Sequence, residues 1–252
     1  MIKQNYIWEP SQKFISESNL TKYIKFISQN YGFKSSKNYN ELWQWSVDNP
    51  EQFWDSIWIF SEVIGDKGKR VIINSDLMPG AKFFPEAKLN YAENLLKKSD
   101  EHISIVSIRE DGEKKSISRK ELKNKVMLMA AWLKKQGIKK GDRVAAYMPN
   151  CLETVISMLA TSTLGAVFSS CSTDFGVAGV LDRFNQIEPK IMITVNGYVY
   201  NGKEIHRNKE IQQIISGLPS LESIVILDYI DFQIDKQKVD FVVVNGENDI
   251  LW

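Results

Sequence analysis

From Ile103 onwards, short apolar blocks alternate with longer stretches of helical period, and the alternation predicts an order of elements. Ile103–Arg109 and Lys114–Ile117 flank a segment containing Asp-Gly and read as a β-hairpin. Ser118 and Glu121 stand at capping-box spacing before Leu122, Val126, Met129 and Leu133, a helix that Gly137 ends. Arg143–Met148, bounded by Gly-Asp and Pro-Asn, is a short buried strand. Asn150 is expected to cap the next helix, with Glu153 at the reciprocal position. Leu152, Val155, Ile156 and Leu159 share one face of it, and Gly165 stops it. Ala166–Ser170 resumes as a strand, so strand, helix and strand form a unit that implies a parallel sheet. Asp174 is expected to cap a helix carrying Val177, Val180, Leu181, Phe184 and Ile187. Ile191–Val195, Ser223–Leu227 and Asp240–Asn245 read as strands, and Ile211, Ile214 and Ile215 mark a short helix stopped by Gly217. The fold class is therefore α/β, a layered domain with a mostly parallel sheet flanked by helices.

Upstream the pattern is different. Leu20, Tyr23, Ile24, Ile27 and Tyr31 recur at helical spacing before Gly32, and Pro50 suits the first turn of a helix that presents Phe53, Trp54, Ile57 and Trp58 for packing. The tryptophans read as core and cap packing, and Lys67-Gly68-Lys69-Arg70 as a solvated turn. A short helix is expected over Leu89–Lys97. The expected organisation is a helical, aromatic-rich region over residues 1–98 and an α/β subdomain over residues 99–252.

Composition narrows the function classes. Lys and Arg number 32 against 31 Asp and Glu, so no broad field recruits nucleic acid or an anionic membrane. No apolar run approaches the ~20 residues that span a bilayer, and the first ten residues carry no signal-like stretch, which together suggest a cytoplasmic protein. Cys151 and Cys171 lack Cys-x-x-Cys spacing, and His102 and His206 have no ligand cluster beside them, so no metal site is expected. Lys134, Lys135, Lys139 and Lys140 crowd the end of a helix, where cations meet its dipole.

Several short motifs then occur in a fixed order. Trp8-Glu9-Pro10-Ser11, Leu42-Trp43-Gln44-Trp45-Ser46 and Leu89-Asn90-Tyr91-Ala92-Glu93-Asn94 come first. They are followed by Gly141-Asp142-Arg143-Val144, Met148-Pro149-Asn150, Leu164-Gly165-Ala166 and Ser169-Ser170-Cys171-Ser172 with Asp174-Phe175-Gly176. Together they resemble the amino-terminal half of the adenylate-forming acyl-CoA synthetases, and within these the acetoacetyl-CoA branch. The resemblance implies that the α/β part belongs to the large amino-terminal domain of such an enzyme. It also implies ATP, coenzyme A and magnesium as requirements of the intact enzyme, with acetoacetate as the acid. The family's Gly-x-Pro-Lys phosphate loop, its aromatic-Gly-x-Thr-Glu segment and its carboxy-terminal lysine are not in these 252 residues. Thr161-Ser162-Thr163-Leu164-Gly165 has suitable residue types but closes a helix without a lysine. The chain is thus expected to be part of a longer ligase and inactive alone, and no catalytic residue is assigned.

Two loops at the carboxyl ends of strands could touch a ligand. In the first, Asp174 and Phe175 precede a helix and fit either ligand contact or a cap and a core ring. In the second, Tyr200 offers a face for a purine and Lys203 a charge for phosphate, with Asn201 and Gly202 between them. Two arginines of related acetyl-CoA synthetases that contact the nucleotide end of coenzyme A fall, by the resemblance, on Tyr200 and Lys203. An ordinary surface turn fits the same residues. The alternatives are an acetyl- or propionyl-CoA synthetase segment and a non-enzymatic coenzyme A- or protein-binding module. The Phe241–Val244 run is expected to present an edge through which the chain self-associates.

Overall fold

The computed structural model describes residues 7–34, 38–230 and 243–245. The chain divides into two compact units, Met1–Leu89 and Asn90–Trp252.

The first unit is built on helices α1 (Gln12–Glu17), α2 (Asn19–Asn30), α3 (Tyr39–Asp48) and α4 (Pro50–Phe60), with a small antiparallel pair of β1 (Ile72–Ile73) and β2 (Lys82–Phe83). Pro50 occupies the first turn of α4, where its missing N–H costs nothing. Tyr23, Ile27, Phe33 and Leu42 form the core, with Trp45, Phe53, Ile57 and Phe60 packed against it. Trp58 lies 4.9 Å from Phe84, whereas Trp43 is 54% exposed and faces water. The Lys67–Arg70 turn is not merely solvated. Lys67 pairs with Asp55, and the Glu86 carboxylate accepts from the Lys69 N–H, the Arg70 N–H and Arg70 Nε.

The second unit opens with α5 (Tyr91–Leu95), shorter than expected, and the hairpin β3 (Ile103–Ile108) and β4 (Lys114–Ser118). The Asn90 side chain caps α5 through the Glu93 N–H and donates to the Ser162 carbonyl at 2.9 Å. There follow α6 (Arg119–Lys135), β5 (Arg143–Tyr147), α7 (Leu152–Thr163), β6 (Val167–Cys171), α8 (Val177–Phe184), β7 (Ile191–Val195), β8 (Gly197–Tyr200), β9 (Lys203–His206), α9 (Asn208–Ser216), β10 (Ser223–Leu227) and β11 (Val243–Asn245). Five strands form one parallel sheet in the order β11-β10-β7-β5-β6. Of the strand expected over Asp240–Asn245, Asp240, Phe241 and Val242 lie outside the described residues.

Side chains alternate across the sheet with period two, as pleating demands. Val144, Ala146, Ile191, Ile193, Val195, Val225 and Leu227 join a core with α6 and α7. Ala145, Tyr147, Met192, Ile224 and Ile226 join the opposite core with α8 and α9. The architecture is therefore three layers, helix, sheet and helix.

Two expected caps are corrected. Cys151, not Asn150, is the N-cap of α7: its backbone is extended, with φ −136° and ψ 172°, and the helix starts one residue later than expected. Glu153 is thereby the second helical residue and cannot close a capping box; instead the Thr154 hydroxyl donates to the Pro149 carbonyl at 2.7 Å. Asp174 does not cap α8 either, since Gly176 holds that position without a side-chain bond. The capping box at α6 is formed, with the Ser118 hydroxyl accepting from the Glu121 N–H at 3.2 Å and the Glu121 carboxylate accepting from the Ser118 N–H at 2.8 Å. Ser118→Ala should therefore cost about 1 kcal/mol, read as a lower urea midpoint at unchanged slope.

Candidate functional site

The strand order places a crevice. After β5 the chain leaves towards β6, and after β7 towards β10, so the connections part in opposite directions beyond two neighbouring strands. Ligands of open α/β sheets sit at the carboxyl ends of such strands. Here a cleft of about 380 Å³ is lined by Pro149 and Asn150 after β5, Ser172, Thr173 and Asp174 after β6, and Tyr198 and Tyr200 after β7.

Each wall has its own support. Asn196, fully buried at the end of β7, accepts with its side-chain oxygen from the N–H groups of Tyr229 at 2.9 Å and Ile230 at 3.1 Å. Its amide nitrogen donates to the Ile230 carbonyl at 2.8 Å, so one side chain closes the loop after β10. The chain then turns into the antiparallel hairpin of β8 and β9, where a loop was expected. Asn201 and Gly202 both have positive φ, 51° and 69°, the conformation a two-residue hairpin turn requires. The Asn201 N–H donates to the Glu110 carboxylate at 2.8 Å, so this turn is tied to the turn of the β3–β4 hairpin.

The expected site residues separate accordingly. Tyr200 is 66% exposed and lies directly across the hairpin from the exposed Lys203, on the same face. Asp174, like Tyr200, is one of the residues lining the cleft. Phe175 is neither a core ring nor one of the cleft residues; it is 36% exposed, and the Arg183 guanidinium stacks over it at 4.4 Å. Asn201 and Gly202 shape the turn. Gly197 has no room for a side chain, because a Cβ there would meet Ile230 Cδ1 at 2.3 Å and the Ile205 carbonyl oxygen at 2.6 Å.

Sequence reasoning missed three contributors. Tyr198 is on the same strand face as Tyr200, two residues away, and lines the cleft floor. Arg207 donates to the Tyr198 hydroxyl at 2.9 Å, pairs with Glu210 at 3.2 Å and stacks on the Tyr198 ring at 5.3 Å. Tyr147 reaches the loop after β6 from beneath. The Asn201-Gly202 pair between alternating residues was the available signal for the hairpin.

Cys151 and Cys171 are buried free thiols. Burial pushes the Cys151 thiol up to about 11, so it is protonated at neutral pH and is not a nucleophile. Among the described residues no three His, Cys, Asp or Glu converge as metal ligands, and no helix is long and apolar enough to cross a membrane.

Residues 92–245 match the family model described as AMP-binding enzyme, and residues 39–95 match that of the acetyl-coenzyme A synthetase N-terminus. The chain belongs to the AMP-binding enzyme family. Among its relatives, acetoacetyl-CoA synthetase of Xenopus tropicalis is 39% identical over 95% of this chain and 35% of its own length. Acetoacetyl-coenzyme A synthetase of Rhizobium meliloti (strain 1021) is 40% identical over 84% of this chain and 32% of its own. The solved acetoacetyl-CoA synthetase from Streptomyces lividans superposes with a TM-score of 0.86 at 31% identity, over 97% of this chain and 38% of that one. The chain thus spans about a third of the length of the AMP-binding relatives it matches.

The close approach at Gly197 gives a direct test of the hairpin's seat. Gly197→Ala should destabilise this member of the AMP-binding family by about 2–3 kcal/mol, because backbone as well as side chain must move. Urea unfolding measures it, and a loss under about 0.5 kcal/mol would show that the hairpin is not seated on Ile230.

Proposed function

We propose that this chain is the amino-terminal part of an ATP-dependent acetoacetate–CoA ligase and that its cleft takes the nucleotide end of coenzyme A. The observation that carries the reading is the pairing across the hairpin of Lys203 with Tyr200, a residue that lines the switch-point cleft, in a chain similar to acetoacetyl-CoA synthetases along nearly all its length. Tyr200 supplies an aromatic face for the adenine and Lys203 a point charge for phosphate. Asp174 borders the same cleft, where its carboxylate disfavours a phosphate and suits hydroxyl or amine donors of the ligand.

In the reaction as a whole, a carboxylate oxygen of acetoacetate attacks the α-phosphorus of ATP and pyrophosphate departs. The coenzyme A thiol then attacks the acyl carbon and AMP leaves. Magnesium and fixed donors offset the phosphate charge in such transfers. The residues described here contribute to binding coenzyme A, and no proton transfer or phosphate contact in the first step is assigned to them.

Coenzyme A binding to the 252-residue chain, followed by calorimetry, tests the site. Lys203→Ala should weaken binding about fivefold at low salt and less at high salt, as a partly screened charge contact does. Tyr200→Ala should weaken it about tenfold through lost stacking. Unchanged affinity in both variants returns the hairpin tip to an ordinary surface turn.

The first half-reaction gives a second test. Acetoacetate-dependent exchange of pyrophosphate into ATP should be at background for the 252-residue chain, whose sequence holds no Gly-x-Pro-Lys phosphate loop. Exchange above background would relocate adenylation into this chain.

A further inference from the structure

Tyr147 is the last residue of β5 and is fully buried, with its ring in the core shared by α8 and α9. Its hydroxyl lies 2.9 Å from the Thr173 carbonyl oxygen and 2.8 Å from that of Phe175, so one proton serves two acceptors of the same loop. Among the described residues no other side chain hydrogen-bonds to residues 172–176. In a planar trans peptide the N–H points opposite to the carbonyl. Drawing these two carbonyls inward therefore turns the N–H groups of Asp174 and Gly176 away from the core. The hydroxyl thereby sets the shape of a loop whose members Ser172, Thr173 and Asp174 form one wall of the cleft.

The ring and the hydroxyl have separable roles. The ring fills the core beside Ala145, Phe184 and Met192, a packing that phenylalanine would keep. A buried hydroxyl is costly without partners, and its partners here are these two loop carbonyls. We infer that Tyr147 is a positioning residue for the cleft: its hydroxyl holds the wall of residues 172–174 in place without touching the ligand. That the ligand is coenzyme A rests on the function proposed above; the holding of the loop does not.

The test compares Tyr147→Phe with wild type in the 252-residue chain. Carbonyl ¹³C shifts of Thr173 and Phe175 and backbone order parameters of residues 172–176 are recorded by NMR without ligand, and coenzyme A affinity is then measured. Thr161→Val, which removes a buried hydroxyl from α7, is the control. In Tyr147→Phe both carbonyl shifts should move, the loop order parameters should drop from about 0.85 to below about 0.6, and affinity should fall about fivefold to tenfold. Thr161→Val should change none of these. Loop spectra identical to wild type in Tyr147→Phe, or a loosened loop with undiminished affinity, overturn the inference. Because the spectra need no ligand, they decide the hold on the loop even if the wild-type chain takes no coenzyme A, a result that would instead overturn the proposed ligand.

Discussion

A parallel strand buried on both faces can satisfy its backbone only through its neighbours in the sheet, and where the ladder ends other groups must take over. β5, β7 and β10 are such strands, with nearly every side chain buried. At their carboxyl ends the replacement groups are specific side chains. The Asn196 amide satisfies two N–H groups and a carbonyl beyond β10, and the Thr194 hydroxyl donates across to the Tyr147 carbonyl at 2.9 Å. The Tyr147 hydroxyl takes up carbonyls beyond β6. The cleft lies where these substitutions are made.

The electrostatics of this region follow from burial. Desolvation pushes the Tyr147 hydroxyl up to about 12, with the Arg207 charge pulling the other way, so it remains a hydrogen donor through the physiological range. Arg207 itself is mostly buried and is held by the Tyr198 hydroxyl and by Glu210. Tyr200 and Lys203 are the exposed residues beside this layer.

Much of the fold was legible as period. Ile191–Val195 and Ser223–Leu227 coincide with their expected ranges, because continuous apolar runs of five residues have few other places to go. The Ser118–Glu121 capping box was legible because both partners are local in sequence. The caps at Asn150 and Asp174 were misplaced by one or two residues, since the extended residue before each helix is Cys151 or Gly176 and a suitable side chain nearby does not decide where the helical backbone begins. The β8–β9 hairpin was read as a loop because its strands are four residues each and one face is exposed. Gly217, read as a helix stop, is the C-cap of α9, and its Cα packs close to the Leu181 side chain.

The sequence by itself determined the layered α/β class, the order of its central elements and the family, since apolar period and local motifs are properties of neighbouring residues. It also singled out Tyr200 and Lys203 as residues with suitable chemistry. Only the tertiary structure decided which residues share a site. Asp174 and Tyr200 line one cleft because β6 and β7 flank β5, while Phe175, next to Asp174 in sequence, stacks with Arg183 instead. Tyr147 and Asn196 acquire their roles from partners between 26 and 34 residues away, reached only once the strands have stacked. A side chain's chemistry is written locally, but its partner is chosen by packing, and packing joins residues that the sequence keeps apart.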